Sequence, residues 1–296
     1  MHHPRFQNIA LIAPASRLMQ HDHLYDIQKQ CQTYQLNITY QHDLTESLPP
    51  QQKAEILLEY LFDDTIDTIW AVRGGEGSAD IIPYLHTYHD QIKQLKPKTL
   101  VGYSDITALL IYFSQTYNWR CIHASGTHQW SNNHLSSDCQ STYETLLKGY
   151  LPDLPLQDAI QLNNQPLPSK PCYLTGGNLS LLNISIQDIW HINTDNRLVL
   201  IEEVKEPIHV INRSLKYLRR IGVFDKVQGI IIGECYVNES TKELHKTLRR
   251  FASDCPYPVI KTNNLGHGSL NYPWSLYYPY QLAHQPDRLS PSVTKI

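Results

Sequence analysis

A serine, a carboxylate pair and a histidine in this chain each stand just beyond an apolar run, in settings that suit acyl transfer. Ser104 falls in KTLVGYSDITALL (98–110), where a short apolar run reaches Gly102, turns through Tyr103-Ser104-Asp105 and re-enters with helical spacing. A serine at such a strand-to-helix turn exposes its hydroxyl at the carboxyl edge of a sheet and directs the following amide toward a helix N-terminus. The match to G-x-S-x-G is partial, because Ile106 occupies the fifth position. A plain N-cap, with the hydroxyl accepting from a first-turn amide, is the alternative. Glu202 and Glu203 end a second apolar run, a costly place for carboxylates unless they are hydrogen-bonded or functional. Strand alternation sends the two to opposite faces, so one of them can enter a given site. His267 lies between Gly266 and Gly268. Serine, acid and histidine are the parts of a nucleophile, its base and the group that orients the base.

A further turn, Arg73-Gly74-Gly75-Glu76-Gly77, could cradle an anion or oxyanion with its amides, since glycine permits positive φ and close backbone approach. It is neither G-x-G-x-x-G nor a P-loop, which argues against a nucleotide phosphate site. Glu206 reads as a solvated residue at a helix entry.

These side chains need strand ends to hold them. Apolar runs at 8–13, 37–40, 68–72, 99–101 and 119–123 alternate with helical patterns at 22–36, after Pro49-Pro50, at 78–85 and after Ser104. Strands alternating with helices of this length predict βαβ units and a mostly parallel sheet, with ligands outside the carboxyl ends of the strands. Proline-rich residues 151–171 read as a linker between a domain at 1–150 and another at 172–296. In the second half, strands are expected at 198–201, 228–232 and 258–261, and helices at 211–221 and 239–251. The first of those helices should bury Ile211, Leu215, Leu218 and Ile221.

Composition narrows the function classes. A net charge of −3 without a Lys/Arg cluster argues against a nucleic-acid surface. No segment approaches the roughly 20 apolar residues of a membrane span, and the N-terminus lacks a signal-peptide pattern. The six scattered cysteines read as reduced thiols of a cytoplasmic protein. None of the 15 histidines has metal-ligand spacing, and His86 and His89 read as solvated; neither metal nor cofactor is expected.

Six segments together resemble the LD-carboxypeptidase family, serine peptidase family S66, which includes muramoyltetrapeptide carboxypeptidases and microcin C self-immunity peptidases. They are IAPAS (12–16), AVRGGEG (71–77), VGYSDIT (101–107), TGGNLSLL (175–182), EEVKEPIHVINRSL (202–215) and GHG (266–268), in family order. The resemblance implies a flavodoxin-like parallel-sheet N-terminal domain, a C-terminal α/β domain with a small barrel-like sheet, and a homodimer. It places the nucleophile on Ser104, the acid on Glu202 rather than Glu203, and the base on His267. The Asp105 amide and an amide of Gly74 or Gly75 then become the oxyanion donors, and Arg73 the candidate for a substrate carboxylate. The implied substrate is a muropeptide tetrapeptide cut before its terminal D-alanine. Hydrolysis of aminoacyl-nucleotide conjugates is the alternative within the family, and a non-catalytic binding module the alternative outside it. Three departures, Glu76, Glu203 and His123-Ala124-Ser125-Gly126, lie around the substrate and bear on its identity.

Overall fold

Residues 8–12, NIALI, form a strand buried at four of its five positions, and the remaining strands of the first sheet assemble around it. The computed structural model describes residues 6–132, 134–282 and 288–291. In chain order the first sheet takes β1 (Asn8–Ile12), β2 (Asn37–Thr39), β3 (Thr68–Ala71), β4 (Thr99–Gly102) and β5 (Arg120–His123). Their spatial order is β5-β4-β3-β1-β2, and every pairing is parallel. This is the flavodoxin-like order, whose strand sequence reverses between β1 and β3 and leaves a crevice there. The helices of this half are α1 (His21–Thr33), α2 (Pro50–Phe62), α3 (Ile82–His86), α4 (His89–Ile92), α5 (Thr107–Thr116), α6 (Thr127–Ser131) and α7 (Ser137–Leu147).

The second sheet contains β6 (Leu154–Pro155), β7 (Ile160–Gln161), β8 (Cys172–Asn178), β9 (Arg197–Val204), β10 (Gly229–Tyr236) and β11 (Val259–Lys261). Beyond β12 (Trp274–Ser275), it is completed by β13 (Pro279–Leu282) and β14 (Arg288–Pro291). Its order is β6-β14-β13-β8-β9-β10-β11-β7, with β8 to β11 parallel and antiparallel strands at both edges, and it curls into a half-barrel. Helices α8 (Leu179–Ile184), α9 (Ile208–Arg220) and α10 (Thr241–Ser253) accompany it. Two features join the halves. Residues 154–161 lend β6 and β7 to the second sheet, while β12 returns to the first and pairs antiparallel with β5.

Helix α5 explains how Ser104 is held. Residues 107–113 are all buried, so the helix is apolar on every side and lies inside the molecule, touching β5, β8 and α8. Its start is locked to the second half: Asn178 donates its amide to Thr107 Oγ1 at 3.1 Å, and a Cβ on Gly177 would sit 2.4 Å from that oxygen. Gly177 has φ +131°, so glycine is required for backbone conformation and for space.

Expected element positions were met closely, with local differences. Helix α9 buries Ile208 in place of Ile221, which caps the C-terminus and is exposed. His86 is exposed, as expected, and His89 is half-buried; their Nδ1 atoms lie 3.2 and 3.1 Å from the hydroxyls of Tyr112 and Tyr117, which are themselves 2.8 Å apart. All six cysteines are buried and free. Among the described residues no helix is long and apolar enough to cross a membrane.

Candidate active site

Strand β4 ends at Gly102, and Ser104 follows with φ +59°, in the left-handed region that side chains ordinarily avoid. Backbone strain of this kind persists where the surroundings over-determine it, commonly at functional positions. Here the surroundings are close. A Cβ on Gly102 would lie 2.6 Å from Ile106 Cγ2, so a single glycine provides the clearance that lets the larger Ile106 occupy the helical side of the turn. A Cβ on Gly74 would lie 2.7 Å from Ser104 Cβ, so the Gly74-Gly75 turn after β3 can approach the serine because it lacks side chains. Gly75 in turn rests on Ser16, beyond β1, whose hydroxyl accepts from the Glu76 amide at 3.3 Å.

Asp105 points inward. Its carboxylate accepts from the Ser78 amide at 2.8 Å, and burial raises its pKa against the opposing pull of the Ser78 bonds. Its main chain meanwhile opens the first turn of the helix, where amides favour negative charge.

Glu202 and Glu203 diverge as strand alternation requires. Glu203 accepts from Asn178 Nδ2 (3.0 Å), the Ser180 amide (3.0 Å) and the Ser180 hydroxyl (2.7 Å). It therefore holds the start of α8, and burial raises its pKa. Glu202, 1% exposed, places Oε2 2.6 Å from His267 Nδ1. Burial opposes both charges, yet their mutual attraction prevails: the Glu202 pKa falls below the carboxylate range and the His267 pKa rises above the imidazole range. His267 Nε2 has no protein hydrogen-bond partner among the described residues. Beside the pair, His123 is fully buried, stacked on Trp274 at 5.0 Å, and kept neutral by desolvation, with its pKa pushed down to about 4.

Ser104 and His267 face a common cleft of about 570 Å³, with Arg73, Gly74, Gly75 and Tyr103 also in its walls. Of the expected site residues, Arg73, Gly74, Gly75, Ser104 and His267 border this cleft, Glu202 reaches it through His267, and Asp105 turns its side chain away toward Ser78. Several others were missed. Glu234 lies at a bulge where Gly233 and Glu234 oppose the single residue Glu202. Its Oε2 accepts from the Gly268 amide at 2.7 Å; a Cβ on Gly266 would lie 2.6 Å from Glu234 Cβ, and one on Gly268 would lie 2.8 Å from Oε2. The glycines around His267 were the visible signal; the carboxylate they accommodate was not. His23, His128, His134 and Lys205 also line the cleft, and Lys205, like Ser104, has positive φ (+66°). Among the described residues no group of three or more His, Cys, Asp or Glu is arranged to hold a metal ion.

A flavodoxin-like sheet joined to a curled second sheet is the fold shared with the microcin C7 self-immunity protein and a muramoyltetrapeptide carboxypeptidase. The microcin C7 self-immunity protein MccF superposes with a TM-score of 0.83 over 99% of this chain and 98% of that one, at 17% identity. The muramoyltetrapeptide carboxypeptidase of Oxalobacter formigenes gives 0.78 over 96% and 97%, at 16% identity. In sequence, residues 9–124 match the LD-carboxypeptidase N-terminal domain and residues 172–282 its C-terminal domain. The chain belongs to the LD-carboxypeptidase family, peptidase family S66. A Rickettsia conorii protein whose name assigns it provisionally to the carboxypeptidases is 34% identical over 225 residues, 73% of this chain and 68% of that protein. The murein tetrapeptide carboxypeptidase of Pseudomonas aeruginosa is 24% identical over 236 residues, 76% and 75% of the two chains.

Proposed function

We propose that this protein is a serine carboxypeptidase that cleaves the L,D-peptide bond before the terminal D-alanine of muropeptide tetrapeptides, with Ser104, His267 and Glu202 as its triad. The observation that carries this reading is the 2.6 Å Glu202–His267 ion pair at Nδ1, which leaves Nε2 buried without a protein hydrogen-bond partner among the described residues, on a histidine that lines the same cleft as Ser104. Ser104 Oγ attacks the scissile carbonyl while His267 Nε2 takes its proton. The tetrahedral oxyanion is received by the Asp105 amide and an amide of Gly74 or Gly75. Collapse breaks the C–N bond, His267 returns the proton to the departing D-alanine amine, and an acyl-Ser104 ester remains. Water, deprotonated by His267, attacks the ester and restores the serine. Arg73 pairs with the terminal carboxylate of the substrate. Residues 1–150 carry the nucleophile and residues 172–296 the acid and the base, and the 151–171 segment between them adds β6 and β7 to the second sheet. The protein acts in the cytoplasm as a homodimer, on peptides recovered from the cell wall, without metal or cofactor.

The test is hydrolysis of a tetrapeptide ending in D-alanine, followed as free D-alanine. Ser104→Ala should reduce turnover by about 10⁴-fold or more with the fold intact, and a phosphonate analogue should add its mass to Ser104 in the parent protein. Turnover that survives Ser104→Ala, or an unmodified Ser104, would refute the mechanism. Arg73→Ala should raise KM; an unchanged KM removes Arg73 from carboxylate binding.

A second reading within the family, hydrolysis of an aminoacyl-nucleotide conjugate, draws support from the 27% identity to the Escherichia coli microcin C7 self-immunity protein. MccF also has a structure in complex with glutamyl sulfamoyl guanosine. Such a substrate needs a ring to stack on its base. Among the described cleft residues the one phenyl or indole ring is that of Tyr103, which is buried and hydrogen-bonded to Gln129. The peptide reading is therefore preferred, and offering both substrates to one preparation separates them.

A further inference from the structure

The triad uses one side of the cleft. The opposite side is built where α1 packs on α6, and it brings His23 from the first helix against His128 from the second. The two imidazoles pack in a tilted arrangement, with centroids 4.0 Å apart and planes inclined by 32°. The Nδ1 atom of each is buried and has no protein hydrogen-bond partner among the described residues. Arg73 stands within electrostatic reach of His128. Its guanidinium donates to the Arg17 carbonyl at 3.5 Å and makes no ion pair with a carboxylate among the described residues.

The charge of the lining is one-sided. Arg73 and Lys205 are fixed cations, four histidines border the same space, and no carboxylate lines it among the described residues. This occurs in a chain whose net charge is −3. Two imidazoles in close contact resist simultaneous protonation unless an anion joins them, because like charges at such a distance repel strongly in a partly desolvated site.

We propose that His23 and His128, with Arg73, form an anion subsite that receives the free carboxylate of a peptide substrate and takes up a proton as the carboxylate enters. The proposal rests on the peptidase reading above and deepens it by assigning how the carboxyl end of the substrate is recognised. Arg73 supplies a permanent charge, and the histidine pair supplies further donors whose strength rises once a proton is shared with the bound anion. The groups facing His128 are His23 and Asp26 from α1, Arg73 from the turn after β3, and His134 from the segment after α6. Desolvation is the largest influence on His128 and lowers its pKa to about 4; His23, Arg73 and His134 act in the same direction, and Asp26 opposes them. In the free protein at neutral pH His128 is therefore uncharged. An arriving carboxylate reverses that balance, which is why binding should consume a proton.

The experiment uses the Ser104→Ala protein, in which binding is separated from chemistry, and titrates it calorimetrically at neutral pH. The ligands are a tetrapeptide ending in D-alanine, the same peptide as its C-terminal amide, and adenosine monophosphate. Buffers of different ionisation enthalpy report the protons taken up. The carboxylate peptide should bind about tenfold or more tightly than the amide, with uptake of about one proton. His23→Gln and His128→Gln in that background should abolish the uptake and most of the preference, leaving amide binding unchanged. Equal binding of acid and amide, absence of measurable binding by either peptide, or absence of proton uptake would each overturn the proposal. So would histidine variants that weaken acid and amide alike, since that is what a purely structural helix contact predicts. The uptake measurement needs no histidine variant, so its absence overturns the proposal even if those proteins fold poorly. Proton-linked binding of adenosine monophosphate in place of the peptide would overturn the carboxylate assignment in favour of a phosphate. Turnover by the parent protein is read independently: a protein that binds carboxylate peptides with proton uptake but releases no D-alanine keeps the subsite and loses the peptidase reading.

Discussion

The Glu202–His267 pair sets two opposing pH dependences. Glu202 has a folded-state pKa below its unfolded value, so its contribution to stability is present above the ordinary carboxylate value of about 4.3 and is lost as pH falls through the folded pKa. The His267 pKa is raised, so its contribution is present below the ordinary imidazole value of about 6.5 and is lost as pH rises through the folded pKa. Stability from the pair is therefore greatest under mildly acidic conditions. The proposed mechanism needs neutral His267, so the acid limb of kcat/KM should lie above pH of about 6.5. Glu202→Gln should move that limb toward lower pH and reduce kcat by about 10²- to 10⁴-fold, the range expected when a base loses the anion that orients it. An acid limb that does not move, read from kcat/KM profiles of both proteins, would mean that Glu202 does not govern the base. Ser104 carries a different cost. Its left-handed backbone should be relieved by glycine, so Ser104→Gly should be inactive yet melt about 2 °C higher, equivalent to about 1 kcal/mol in a chain of this size. A lower melting temperature would show that the turn is not strained.

At the scale of elements, the bulge between β9 and β10 determines where His267 sits. Two residues on β10 oppose Glu202, and the extra residue turns Glu234 toward the 263–268 loop. Close packing there explains the glycines: Gly233 lies beneath the Leu265 carbonyl, where a Cβ would come within 2.5 Å, and Gly266 and Gly268 straddle the Glu234 side chain. In the proposed mechanism Glu234 would thus act as a positioning residue, through the loop that presents His267. Glu234→Ala should lower kcat by up to about a hundredfold, the penalty for a displacement on the order of 1 Å, with KM nearly unchanged. Glu234→Gln, which retains an acceptor for the Gly268 amide, should recover most of the loss. If Gln rescues nothing, the carboxylate charge acts on His267 directly rather than through the loop.

On the scale of the whole molecule, the site exists where two sheets meet. Ser104 comes from the first and Glu202 from the second, and His267 follows the last parallel strand of the second. Their meeting depends on the contact of Gly177 and Asn178 with Thr107 at the head of α5. Gly177→Ala introduces a methyl group against Thr107 and a side chain at positive φ, and should destabilise the protein by about 3 kcal/mol. Because that contact lies between the sheets, activity should be lost at lower denaturant than the bulk of the secondary structure. Coincident loss of both would show that the interface and the sheets unfold as one unit.

Much of the frame is legible along the chain. Buried strands such as TIWAV announce themselves by uninterrupted apolar runs, and α9 by its period, because both signals record how one element meets solvent. The motif segments likewise placed a serine, an acid and a histidine at strand ends. What tertiary structure alone decided is which groups from distant segments come within bonding distance: the hold of Asn178 and Ser180 on Glu203, the bond from Gly268 to Glu234, and the meeting of His23 with His128. The reason is physical. Periodicity reports the burial of a side chain but not the identity of its neighbour. A neighbour distant along the chain is chosen by strand order, by a one-residue bulge and by the packing of α1 against α6.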